Sequence, residues 1–264
     1  MKNLALITGS YGGLGTCFVN IHAKTGGDLI LVGRNPQKLE EQAAATHAAY
    51  GVEVRTIAVD LSKPEAAQTV YDTCKENGWL PDVLINNAGF GGQGDFARER
   101  TMDQDLSMIA VNVETPTRML KLFLPDMIQR GSGKVLNVSS TAAVMPGPLQ
   151  AVYYATKAYM TSFSNALWRE LKDTGVTVTC LMPGAMSTGF ANAGGLGDTA
   201  LFARATDPTP VAQAGYDGML KGELNVTAGL VGAQKAFMPT TPFLPKKMLM
   251  DNVYNMQLRG SANK

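Results

Sequence analysis

Leu4-Ala5-Leu6-Ile7-Thr8-Gly9-Ser10-Tyr11-Gly12-Gly13-Leu14-Gly15 decides the reading of this chain. Asn3 to Thr8 is a near-continuous apolar run, the pattern of a strand buried on both faces. Glycines follow at once, and Gly13 to Lys24 then carries a helical pattern. Glycines between such a strand and a helix let the backbone turn tightly and approach a pyrophosphate, whose charge then sits at the helix N-terminus. A tight turn with no ligand is the plainer reading of any glycine-rich loop. Its position directly after the first strand favours a dinucleotide.

The same rhythm continues outward. Asp28 to Val32, Val52 to Val59, Asp82 to Asn86, Lys134 to Val138, Val176 to Met182 and Glu223 to Leu230 read as further strands. Helical patterns lie between them. Pro36 to Tyr50 has Asn35 as N-cap and Pro36 at its first position. Pro64 to Asn77 has Ser62 as a candidate cap. Thr101 to Arg130 is long and expected to bend near Pro116 or Pro125, and Ala151 to Lys172 completes the set. Strands separated by helices need crossovers, so the expected fold is α/β: a Rossmann-type doubly wound parallel sheet of about seven strands with helices on both faces. No linker divides the chain, and residues 1–264 are read as one domain. Two stretches break the rhythm. Residues 184–222, rich in Gly and Ala, follow a strand's carboxyl end and are expected to form a substrate lid. Residues 232–264 form a C-terminal extension with Phe237, three prolines (Pro239, Pro242, Pro245) and methionines at 248, 250 and 256, expected to be core or subunit contact.

Composition narrows the function. Of 264 residues, 45% are hydrophobic and 17% charged, and 23 Lys+Arg against 22 Asp+Glu leave a formal charge of +1. That excludes a disordered chain and offers no broad basic face, so no nucleic acid partner is expected. The uncharged stretches between Lys134 and Lys157 and between Asp173 and Asp198 are broken by Pro, Gly, Ser and Asn, so no membrane span is expected. The start of the chain lacks a signal-peptide pattern, and Cys17, Cys74 and Cys180 are widely spaced thiols without a CxxC pair. A cytoplasmic protein is expected. His22 and His47 have no ligand-spaced partners, so neither a metal site nor a Ser-His-Asp triad is supported.

Three places carry chemistry. The second strand ends Val32-Gly33-Arg34-Asn35, where an NAD enzyme would place a carboxylate on the ribose 2′-OH. Gly33 removes that charge and Arg34 can grip a 2′-phosphate, so NADP(H) is favoured over NAD(H) and an Asp at Gly33 is expected to reverse the preference. Tyr153 and Lys157 stand one helical turn apart on one face. A phenol titrates near pH 10, too high for proton transfer at neutral pH, and a nearby ammonium is expected to lower it. Upstream, Asn137-Val138-Ser139-Ser140 ends the fifth strand with a hydroxyl able to enter the cleft.

From Leu4 to about Gly229 the chain resembles single-domain short-chain dehydrogenases/reductases. The resemblance rests on TGxxxGxG at Thr8–Gly15, Val59-Asp60-Leu61, Asn86-Asn87-Ala88-Gly89, Asn112 in Val111-Asn112-Val113, the serine, Tyr153-x-x-x-Lys157 and Pro183-Gly184-x-x-x-Thr188. It implies a catalytic set of Asn112, Ser140, Tyr153 and Lys157. Tyr153 would be the acid/base, Lys157 would bind the nicotinamide ribose and lower the tyrosine, a serine would polarise the carbonyl, and Asn112 would hold a relay water. The family's spacing selects Ser140 over Ser139 and Tyr153 over Tyr154. It further implies cofactor contacts at Thr8, Gly9, Ser10, Gly13, Leu14, Gly15, Arg34, Asn35, Asp60, Leu61, Asn87, Ala88, Gly89, Pro183, Gly184 and Thr188. Many NADP-dependent relatives carry Ser, Arg or Lys where Tyr11 and Gly12 stand, so here the 2′-phosphate would rest on Arg34, with Ser10 and Asn35. Adjacency to the motifs offers Phe90, Met145, Pro146, Gln150, Met186 and Phe190 as pocket walls for an apolar carbonyl or alcohol. The expected function is an NADPH-dependent ketone or aldehyde reductase, reversible as an alcohol dehydrogenase, in a homo-oligomer (dimer or tetramer) built on the helices from Thr101 and Ala151. A dinucleotide-sensing binding protein on the same fold is the alternative. A sugar-nucleotide epimerase shares the Tyr-Lys pair but usually needs a longer C-terminal substrate domain.

Overall fold

Leu4, Leu6, Ile30, Val32, Leu84, Val135 and Val178 pack into one apolar cluster, while Ala5, Ile7, Leu29, Leu31, Val83, Ile85, Leu136 and Leu181 pack into another. Alternate residues of the same strands therefore bury to opposite sides, which is why each strand reads as an unbroken apolar run. This computed structural model describes residues 3–200, 202–203, 205–232, 234, 238–258 and 260. Among them, seven parallel strands form one sheet in the order β3-β2-β1-β4-β5-β6-β7. The strands are β1 (Ala5–Thr8), β2 (Leu29–Gly33), β3 (Val54–Ala58), β4 (Val83–Asn86), β5 (Gly133–Val138), β6 (Val176–Pro183) and β7 (Asn225–Ala228). The first and fourth begin later than the apolar runs because carboxylates and backbone close their entrances. Asp82 accepts the Leu4 N–H at 2.9 Å, and Asn3 sits at φ 35°. β7 stops before Gly229, whose φ of 73° turns the chain away.

Helices α1 (Gly13–Lys24) and α2 (Pro36–Tyr50) keep the expected bounds, and the Asn35 side chain accepts the Lys38 N–H at 2.9 Å as the α2 cap. Helix α3 runs Ala66–Glu76 without a cap from Ser62. Ser62 instead donates its N–H and hydroxyl to Asp60 Oδ1, at 3.0 and 2.8 Å, and is held in that turn. The long helical stretch is divided by a π-helical segment just ahead of Pro116. Helix α4 (Met102–Ile109) opens on a Thr101–Gln104 capping box, and α5 spans Thr115–Arg130 with Pro116 in its first turn and Pro125 inside it. Between them Ala110–Glu114 widens to π-helical winding, with Asn112 buried at its middle. A π segment inside a helix marks a place where a side chain is re-aimed.

Helix α6 (Ala151–Glu170) backs β5 and β6, and α7 (Gly189–Ala193) follows β6. The stretch 184–222, expected to form a lid, contains a regular helix. Its second half is α8 (Pro208–Lys221), a core helix burying Val211, Ala212, Tyr216 and Met219. The methionine-rich tail packs on the core through residues other than its exposed methionines. In α9 (Lys246–Gln257) the buried face is Leu249, Val253 and Gln257, whereas Met248 and Met256 are exposed. Phe237 and residues 233, 235, 236, 259 and 261–264 of that extension lie outside the described residues. Among the described residues no helix is long and apolar enough to cross a membrane.

Candidate active site

Strand order reverses between β1 and β4, and a crevice opens at their carboxyl ends, the place where open α/β sheets bind ligands. Thr8 stitches the two sides together: its hydroxyl accepts the N–H groups of Asn87 and Ala88, both at 3.0 Å. The Asn87 amide returns bonds to the carbonyls of Thr8 and Gly9, at 2.9 and 3.1 Å. Gly9 needs its φ of 64°, and a Cβ there would meet the Ala88 backbone at 3.0 Å. A Cβ on Gly15 would lie 2.2 Å from the Gly9 carbonyl, and one on Gly13 would lie 2.6 Å from the Thr188 methyl group. Thr188, from beyond β6, is thereby seated on the glycine loop.

The donor set fits a dinucleotide. Gly12 caps α1 with no side-chain hydrogen bond, and its first turn, with Leu14 buried, carries no acidic residue. The backbone N–H groups there keep their capacity for an anion. Ser10 Oγ is buried without a hydrogen-bond partner. Beyond β3, hydrogen bonds from Ser62, chiefly its N–H, hold the Asp60 carboxyl below its ordinary range. Leu61 is buried and its carbonyl accepts from Thr115 at 2.7 Å. At the end of β2 the Arg34 side chain is exposed beside Asp60, and the Asn35 side chain is committed to capping α2.

Catalytic candidates gather where β5 and β6 end. Tyr153 lies on the first turn of α6, buried, with the Ser140 hydroxyl as its hydrogen-bond partner. Ser140 Oγ also reaches the Pro183 carbonyl at 3.5 Å. Ser139 faces the other way, its hydroxyl bonded to the Lys157 carbonyl at 2.8 Å and paired with Thr161 at 2.7 Å. Lys157 Nζ donates to the Val138 carbonyl at 2.9 Å and lies 5.8 Å from the Tyr153 ring centroid. The expected lowering of the phenol is therefore not found here. Burial pushes Tyr153 up to about 12, partly offset by Ser140, and pushes Lys157 down to about 8. A phenol so placed stays protonated and is a proton donor.

Asn112 accepts the Phe90 N–H at 3.1 Å and donates to the Phe90 carbonyl and to Thr156 Oγ1, at 2.9 and 3.1 Å. Thr156 in turn donates to the Tyr153 carbonyl at 2.7 Å. This residue was missed in the sequence, where a threonine beside a lysine carries no signal. Gly89 faces both groups: a Cβ there would meet Asn112 Oδ1 at 3.1 Å and Lys157 Nζ at 3.3 Å. Gly184 is pressed against the Gly229 carbonyl, 2.4 Å from where its Cβ would be.

On the substrate side, Phe90, Met145 and Phe190 pack around Tyr153 and Tyr154 with Leu249 and Val253 of α9. The Phe190 and Tyr153 rings are 5.5 Å apart. Gln150 is buried and donates to the Gln257 side chain, which donates to the Tyr154 hydroxyl at 3.1 Å. Two offered walls lie outside this cluster. Met186 packs with the α1 and α8 cluster on the other side of the sheet, and Pro146 is exposed. The α9 contribution was not legible because nothing beyond Gly229 matches a motif.

Residues 3–195 match the family described as short chain dehydrogenase. The chain belongs to that family. Very-long-chain 3-oxoacyl-CoA reductase of Mus musculus is 33% identical over 192 residues, 71% of this chain and 60% of the relative. Hydroxysteroid dehydrogenase-like protein 1 of Gallus gallus is 34% identical over 186 residues, 70% of this chain and 56% of the relative. This short chain dehydrogenase thus spans about 60% of the length of the curated relatives it matches. Among solved structures, a short-chain dehydrogenase from Sphingobium yanoikuyae in complex with NADPH superposes with a TM-score of 0.81 at 27% identity, covering 94% of this chain and 95% of that one. L-Sorbose reductase from Gluconobacter frateurii, complexed with NADPH and L-sorbose, gives 0.75 at 26%, covering 86% and 95%.

Proposed function

We propose that this short chain dehydrogenase is an NADPH-dependent reductase of ketones or aldehydes carried on largely apolar molecules, reversible as an alcohol dehydrogenase. The observation that carries the proposal is the Tyr153 phenol hydrogen-bonded to Ser140 at the ends of β5 and β6, across from the glycine loop. Bound NADPH would supply hydride to the carbonyl carbon. The protein's own part is to hold a substrate oxygen between the Ser140 hydroxyl and the Tyr153 phenol, and to deliver the phenol proton to that oxygen. Burial keeps that proton on Tyr153, and Phe90, Met145 and Phe190 exclude water around it.

Arg34 and the absence of a carboxylate at the end of β2 support NADPH over NADH, as do the NADPH-bound neighbours. Relatives named as 3-oxoacyl-CoA reductases support a ketone substrate. The test is consumption of NADPH and NADH against a panel of ketones, aldehydes and 3-oxoacyl thioesters, with titration of both dinucleotides in parallel. Turnover with NADPH, and an Arg34→Ala variant that loses affinity for NADPH about ten-fold or more while NADH hardly changes, is the expected result. Tight binding of NADPH with no turnover of any carbonyl would favour a dinucleotide sensor instead.

A further inference from the structure

Tyr11 Oη accepts hydrogen bonds from two successive backbone N–H groups, those of Arg34 and Asn35, both at 3.1 Å. These amides close β2 and open α2, and adjacent N–H groups converging on one oxygen are how backbone binds an anion. They also stand where this fold meets the 2′ position of an adenosine ribose. The oxygen they hold is supplied by the protein's own glycine loop. The ring is equally committed. A Cβ on Gly33 would lie 2.5 Å from Tyr11 Cε1, so only glycine admits the phenol, and Lys38 Nζ lies 5.9 Å from the ring centroid.

We propose that Tyr11 determines cofactor specificity as an internal occupant of the 2′-phosphate position: its phenol oxygen holds the Arg34 and Asn35 amides, and a ligand phosphate must displace it. The inference rests on the dinucleotide reading of the crevice. Near neutral pH a 2′-phosphate carries close to two negative charges and accepts charge-assisted bonds stronger than those of a neutral phenol. Arg34 beside it and Lys38 over the ring add attraction that the phenol cannot use. A 2′-hydroxyl brings no charge and has nothing to gain by evicting Tyr11. The phenol thus weakens every 2′-phosphorylated ligand by the bonds it must surrender and leaves other adenosine ligands untouched.

The probes are adenosine 2′,5′-bisphosphate and 5′-AMP, titrated calorimetrically into the full chain. Tyr11→Phe keeps the ring on Gly33 and removes only the oxygen. Affinity for the bisphosphate should rise about 3- to 10-fold, the scale of a lost competing hydrogen bond, while 5′-AMP changes less than about two-fold. In the wild type the Arg34 and Asn35 amide resonances should shift with the bisphosphate and stay in place with 5′-AMP. Unchanged or weaker bisphosphate binding by Tyr11→Phe would overturn the proposal, making the phenol a bystander or a donor to the phosphate. Failure of wild type and variant to bind either nucleotide would remove the dinucleotide reading itself, and this inference with it.

Discussion

Ser139 and Ser140 are neighbours with opposite fates, and the contrast gives the sharpest test at single residues. Ser140 bonds the buried phenol, whereas Ser139 is tied beneath α6 to Lys157 and Thr161. Ser140→Ala should lower turnover about 10²-fold or more with nucleotide affinity intact, because a preorganised donor to the developing oxyanion is lost. Ser139→Ala should leave turnover near wild type and cost about 1 kcal/mol of stability. The reverse order in steady-state rates would move the catalytic hydroxyl to Ser139. Tyr153→Phe should lower turnover by about 10²- to 10⁴-fold while calorimetry shows NADPH still bound. Gly33→Asp takes on a new meaning in three dimensions. A carboxylate there was expected to recruit NADH, but its Cβ would strike the Tyr11 ring. That variant should lose NADPH without gaining NADH until Tyr11 is also shortened, which the same titration reads.

Among the elements, α9 joins the end of the chain to the start of α6 through Leu249, Val253 and Gln257. Leu249 is 4% exposed, and Leu249→Ala should cost about 2–5 kcal/mol if α9 unfolds with the rest. If α9 opens on its own, residues 246–257 should exchange their amide hydrogens faster while the sheet stays protected. Denaturant melts and exchange on one variant separate the two outcomes, and no change in either would show α9 to be a passive cover. The elements also show which features could be read in the sequence. β1, the glycine turn and α1 were legible because apolar runs and glycine placement encode them locally. Helix α8 hides in the Gly- and Ala-rich stretch 184–222, where Gly215 and Gly218 interrupt its pattern. Each instead lets a neighbour in, Leu181 within 2.6 Å and Val226 within 2.3 Å of where a Cβ would be. The π winding at Asn112 is not legible in the sequence because side-chain bonds to Phe90 and Thr156, distant in sequence, hold Asn112 there. Tyr153 and Lys157 were placed by their motif, but their proton affinities depend on burial that no motif reveals.

At the scale of the whole molecule, His22 binds three parts of the fold. Its Nε2 faces the Asn3 carbonyl at 2.7 Å, which can only accept, so Nε2 carries the proton and Nδ1 receives the Tyr216 hydroxyl of α8 at 2.8 Å. Burial lowers its pKa below the ordinary 6.5, so the folded state holds the ring neutral while the unfolded chain protonates it more readily. The stabilising contribution is complete above about pH 6.5 and is lost as the pH falls from there towards the depressed value. Urea midpoints should therefore fall between about pH 7 and 5, and a His22→Gln variant should show a shallower fall over that window. An identical slope in the variant would place the acid sensitivity elsewhere. The strand order has a consequence for the birth of the protein on the ribosome. β1 is made first yet lies inside the sheet, and its entrance is closed by Asp82, 78 residues further along from Leu4. The emerging chain can pair β1 with β2 on one side, but the other edge stays open until β4 has been synthesised. An apolar edge left open through that interval is a template for another strand. Slow codons or a pause before β4 has left the ribosome would prolong that exposure, and a later pause would not.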